Sequence, residues 1–177
     1  MVLRSIIVVV AGCQLLLASG QTTFKRRYDM FGQQLGQSAT AIELTSDAAY
    51  VVFVNSAWQD SLYYSPVATT LVLEAQGDTI AMHRVEQLFH ASSTGWANGS
   101  FPLQGGVGFG VGGSNLAQDD TQRPVLYFFD ATGQPTSFIE YGVAGEEWIG
   151  RQGKQTPDGG FVICGETSST ASLSAFC

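Results

Sequence analysis

The 177 residues carry 15 Asp and Glu against 8 Lys and Arg, a net charge of −7, and 45% of them are hydrophobic. Nucleic-acid binding needs clustered Lys and Arg to neutralise phosphates, and the one basic cluster is Lys25-Arg26-Arg27, so that class is excluded. The length suits a leader followed by one ordinary domain.

The N-terminus reads as a targeting segment. Arg4 supplies a positive start, Ser5 to Leu17 is nearly all apolar, and Ala18 and Gly20 are small residues at −3 and −1 of a cleavage before Gln21. An apolar run of about 13 residues is too short for a helix across a bilayer, which takes roughly 20. Residues 1–20 are therefore expected to be a cleaved signal peptide, the chain to be secreted or held at the cell surface, and no transmembrane span to be present. Val10-Ala11-Gly12-Cys13 also spells a lipoprotein box. Cleavage there leaves a very short apolar core and puts Leu15, Leu16 and Leu17 where a polar tether belongs, so it is the weaker alternative. Loss of Arg4 makes residues 21–177 more acidic still, which favours solubility.

Short runs rich in Val, Ile, Tyr, Phe and Thr follow, separated by Gly, Asp and Asn, and they predict strands at about 39–44, 49–55, 68–74 and 79–85. A second set is expected at about 97–103, 106–113, 124–130 and 136–141, with a longer loop over 113–124. No stretch of the mature chain has helical spacing of apolar residues, so helix content should be low. Thr22 to Tyr28 reads as one further strand that lacks its neighbours and is placed to pair with a final blade.

Repeats organise these strands. Thr45-Ser46-Asp47-Ala48-Ala49-Tyr50-Val51-Val52 matches Thr156-Pro157-Asp158-Gly159-Gly160-Phe161-Val162-Ile163. Leu103 to Phe109 is a degenerate copy that keeps a small pair at 105–106. Independently, Leu71 to Asp78 matches Leu126 to Gly133, and both landmarks give a period of about 56 residues. In the first unit Tyr50, Val52 and Val54 point one way and Val51 and Phe53 the other, so the strand is apolar on both faces and belongs to a sheet stacked between others. The expectation is an all-β fold of β-propeller-like blades, each of four antiparallel strands, forming an incomplete ring. Residues 21–177 supply about two and a half blades. The third unit stops at Cys177 where the pattern asks for two more strands, so the chain reads as the N-terminal part of a larger propeller.

Chemistry is sparse. Gly108-Phe109-Gly110-Val111-Gly112-Gly113 satisfies Gly-x-Gly-x-x-Gly, but a dinucleotide site needs a helix to start there, and the following residues are poorly helical. The alternation instead describes a strand with one bulky and one bare face, open to a close neighbour. His83 and His90 have no partners at metal-ligand spacing. Asp119-Asp120 and Glu146-Glu147 are the only paired carboxylates, and Asn115, Asp119 and Asp120 offer three of the six or more oxygens that calcium takes. Asp47 and Asp158 are expected to bond their own turns. Trp96 and Trp148 are read as packing residues, while Trp58 and Tyr63-Tyr64 are placed in a loop, free to bind a sugar or a protein. Asn98-Gly99-Ser100 is a formal glycosylation sequon. Cys164 and Cys177 remain in the mature chain. With Cys164 in an apolar run, a buried thiol is expected rather than a bridge. No catalytic, cofactor-binding or metal-binding residue is assigned, and no cofactor is expected.

The segment Thr156 to Gly165, Thr-x-Asp-Gly-Gly-aromatic-Val-Ile-x-Gly, resembles the propeller-like repeats of large secreted bacterial proteins, often exported by the type IX system with a C-terminal sorting domain. The resemblance spans most of residues 22–177, and no sorting domain is present. It implies a fold and an address but no reaction. The expected function is a non-catalytic exported binding or surface-scaffold module whose partner is a protein or polysaccharide. The alternative is a fragment of a propeller enzyme acting on polysaccharide, with its site mostly elsewhere.

Overall fold

Most strands follow from short β-branched and aromatic runs cut by turn residues. The structure is a computed structural model that describes residues 28, 37–59, 64–85, 91–95, 98–117, 119–169 and 172–177. The first sheet is an antiparallel meander of β1 (Gln37–Leu44), β2 (Tyr50–Gln59), β3 (Tyr64–Leu73) and β4 (Thr79–Arg84). The second contains β5 (Ala91–Thr94), β6 (Ser100–Pro102), β7 (Gly108–Leu116), β8 (Gln122–Asp130) and β9 (Pro135–Glu140), in the order β5-β7-β8-β9 with β6 also paired to β7. The third is β10 (Trp148–Gln155), β11 (Phe161–Ser169) and β12 (Ser172–Phe176), in that order. Among the described residues there is no α-helix, only a 3-10 turn at Gln104–Gly106. No helix there is long and apolar enough to cross a membrane.

The differences from the sequence-based expectation have physical causes. The strand expected at 97–103 is shorter, Ser100–Pro102, and an unexpected strand at Ala91–Thr94 shares the same edge of β7 with it. The loop expected over 113–124 is mostly strand: β7 runs to Leu116, and a tight turn then leads into β8 at Gln122. Trp58 and Tyr64 lie on paired strands, opposite Ser65 and Gln59, rather than in a loop. The third sheet has a third strand where none was expected, since β12 pairs with β11. That pairing sets Gly165 opposite Phe176, so the next pair along is Cys164 and Cys177, whose Cα atoms lie 4.2 Å apart and whose sulfurs are joined. The expected free thiol is therefore a cross-strand disulfide. Of the strand expected at 22–28, only Tyr28 lies among the described residues, and Trp96, His90 and Tyr63 lie outside them.

Five hairpins close in the same way. The first residue of each turn donates its amide to the carbonyl four residues on, and the fourth residue donates back to the first: Thr45/Ala49, Glu74/Asp78, Ala117/Thr121, Asp130/Gln134 and Thr156/Gly160. The fourth residues are Ala48, Gly77, Asp120, Gly133 and Gly159, all at positive φ. This is the three-residue loop with a left-handed last residue that suits the twist of antiparallel strands. In the first and last of them Thr45 and Thr156 give their hydroxyl protons to Asp47 and Asp158. The β6–β7 turn is one residue longer, running from Leu103 to Gly108, and has no such Asp.

The three sheets stack. Between the first and second, Val51, Phe53 and Val72 pack on Phe109, Val111, Tyr127 and Phe129. Phe53 meets Phe129 edge-on at 5.1 Å, and such side chains contribute roughly 2–3 kcal/mol each by burial. Between the second and third, Phe101, Leu126 and Phe128 pack on Phe161, Ile163 and Phe176. Here β7 turns its bare face to β10, where a Cβ on Gly112 would overlap the backbone of Gln152 and Gly153. The glycine alternation is thus a close-approach device. The described residues do not form a closed ring.

Candidate functional site

Two features stand out: a crevice lined by small, polar and apolar side chains, and a face of the first sheet whose margin is apolar and exposed. The crevice, of about 270 Å³, is lined by Pro66, Ala91, Ser92, Ser93, Ser114, Asn115, Leu116 and Gln122. Around it, side chains join strands that share no backbone pairing. Asn55 on β2 accepts the amide of Thr94 at 2.7 Å and donates to its carbonyl at 2.8 Å, so that it bridges β2 to β5. The hydroxyls of Thr40 and Thr94 are hydrogen-bonded at 2.7 Å, and Ser92 accepts the Ala68 amide at 3.0 Å. Ser114 donates to the Gly150 carbonyl at 3.1 Å, which ties the third sheet to the second.

Beneath the crevice Tyr127 is buried, and its hydroxyl donates to Asn115 Oδ1. Burial pushes the phenol well above its ordinary pKa, so it stays a neutral donor. Asn115 is itself 1% exposed, and its Nδ2 has no partner. The lining carries no charged side chain.

The residues singled out from sequence fall into structural roles. Asp119 Oδ1 accepts from the hydroxyl and amide of Thr121, and Oδ2 from Arg123 and the Gly145 amide. These bonds, that of the Thr121 hydroxyl foremost, hold its pKa at about 2. Asn115 belongs to the Tyr127 pair, so the proposed calcium trio of Asn115, Asp119 and Asp120 is not assembled. Among the described residues no three His, Cys, Asp or Glu side chains gather to hold a metal. Trp148 donates to Glu146 and packs on Phe176 at 5.1 Å. His83 stands on β4 opposite Thr70. Asn98 is exposed, at positive φ.

The apolar face belongs to the first sheet. Registered rows run Ile42–Val52–Leu71–Met82 and Leu44–Tyr50–Leu73 across it. Val54, Leu71 and Leu73 are buried there against Tyr28, Tyr50 and Val52, and the Tyr28 hydroxyl donates to the Gly77 carbonyl at 2.7 Å. Around them Ile42, Leu44 and Ile80 remain 60% exposed and Met82 38%. A contiguous apolar patch of this kind marks an interaction surface, whereas scattered apolar residues do not. The polar network around Asn115 and Tyr127 was not legible, because its members are far apart in sequence. No protein-family model matches the chain, and no curated protein matches it significantly.

Proposed function

We propose that the chain is an exported, non-catalytic β-repeat module, built of propeller-like blades, that serves as a binding or surface-scaffold unit. The observation that carries the reading is the exposed apolar margin of the first sheet, at Ile42, Leu44, Ile80 and Met82, while the carboxylates at 47, 119 and 158 are spent on their own turns. The repeat is supported by the recurring turn and by a β-bulge at Thr40 that returns at Arg151, in the same place relative to the Thr-x-Asp turn. Export is supported by the N-terminal segment and is consistent with a disulfide, which persists in oxidising compartments. The resemblance to secreted bacterial repeat proteins points the same way.

Two readouts on one sample test this. N-terminal sequencing of the chain recovered from the medium or cell surface should begin at Gln21, and the purified chain should release no reducing ends from polysaccharides. A cytoplasmic product starting at Met1, or sugar release that survives repurification, overturns the reading.

A further inference from the structure

The disulfide of Cys164 and Cys177 ties β12 to β11 in the third sheet, and its two ends lie in different surroundings. Cys177 is exposed. Cys164 is half-buried on β11 and lines a groove of about 360 Å³ that it shares with Ser100, Gln152, Lys154 and Val162.

Register brings a cation to the Cys164 end. Lys154 stands opposite Val162 and Gln152 opposite Cys164, so Lys154 and Cys164 are diagonal neighbours on one face of the sheet. Diagonal positions of an antiparallel pair lie about 7–8 Å apart, within reach of a long side chain. The strand that the disulfide secures is otherwise lightly held. β12 pairs with β11 from Gly165–Phe176 to Ser169–Ser172. Among its described side chains Phe176 is the one that enters a core, where it packs on Trp148 at 5.1 Å and joins the cluster of Phe101, Leu126 and Phe128.

We propose that Cys164–Cys177 is a site of reversible thiol–disulfide exchange with an external dithiol, and that its reduction frees β12 from the third sheet. One thiolate of the dithiol attacks the sulfur of Cys177, the exposed end. The S–S bond breaks, a mixed disulfide forms at Cys177, and the electron pair leaves on the Cys164 sulfur beside the Lys154 ammonium. The second thiolate of the dithiol then displaces Cys177. The dithiol departs as its own disulfide, two electrons and two protons poorer, and the chain holds two thiols. A cation beside the leaving sulfur favours its departure as thiolate, and a better leaving group exchanges faster. Without the cross-link, β12 is a short terminal strand of the kind that opens locally while the rest of a fold stays intact. The proposal goes beyond the binding reading and does not depend on it.

The test treats the purified oxidised chain with dithiothreitol, without denaturant, and counts thiols by alkylation and mass. Both cysteines should be labelled while circular dichroism shows the sheets retained. Hydrogen exchange should quicken over residues 172–176 and stay slow in β7 and β8. Tryptophan fluorescence should shift as Phe176 leaves Trp148, a signal that Trp148→Phe removes, and oxidised dithiothreitol should reverse each change. Lys154→Gln should slow the reduction by about twofold to fivefold, the weight of one exposed charge interaction, and Lys154→Arg should restore it. Labelling that requires urea overturns the proposal, as does unchanged exchange over 172–176 after reduction. A folded Lys154→Gln chain that is reduced as fast as the wild type also overturns it. Should that variant not fold, the thiol count and the exchange of the wild type decide alone.

Discussion

At the residue scale, one backbone position recurs in five hairpins, and its occupant sets the local cost. A left-handed residue with a Cβ costs about 1–2 kcal/mol, partly offset by glycine's greater loss of freedom on folding. Ala48 sits at φ 64° where Gly159 sits at 88°. Ala48→Gly should therefore raise stability by about 0.5–1 kcal/mol, and Gly159→Ala should lower it by about 1 kcal/mol. Urea unfolding of the two variants measures both, and equal shifts of the same sign would contradict the assignment. The turn carboxylates add a pH dependence. Asp119 has its folded pKa lowered from 3.8 to about 2, so its stabilisation is full above its unfolded value and is lost as pH falls through the folded one. Asp119→Asn should thus be less stable than wild type at neutral pH, and the difference should close between about pH 4 and 2.

At the scale of elements, the decisive strand is β7. Its Phe109 and Val111 enter the first core while its glycines admit β10 on the other side. The alternation was legible in sequence, and so was the need for a close neighbour; which strand approaches was not, because β10 is distant in the chain. Gly112→Ala should force the second and third sheets apart and cost about 1–3 kcal/mol, the usual penalty for overpacking. A thermal melt reads this, and an unchanged midpoint would mean that β10 does not lie against β7. The disulfide belongs to the same scale. Joining residues 13 apart contributes about 3 kcal/mol in the chain-entropy account. The expectation of a free thiol failed because Ser172–Phe176 is short and small-residue-rich, and shows itself as a strand only through its pairing with β11.

At the scale of the whole molecule, the stack has a direction. The second sheet buries one face against the first sheet and the other against the third. At the margin of the first sheet Ile42, Leu44, Ile80 and Met82 remain exposed around a buried centre of Val54, Leu71 and Leu73.

What the sequence by itself determined was local and periodic: strand class, the five-residue turns with their Thr-x-Asp bonding, the two-faced second strand and the bare face of β7. Each of these is written in neighbouring residues, because alternation and turn chemistry act over two to five positions. Tertiary structure decided the rest. Asn55 reaches Thr94, Tyr127 reaches Asn115, Cys164 meets Cys177, and the second sheet packs between the first and the third. Those outcomes depend on which distant surfaces meet, and burial rewards any apolar match without naming the partner.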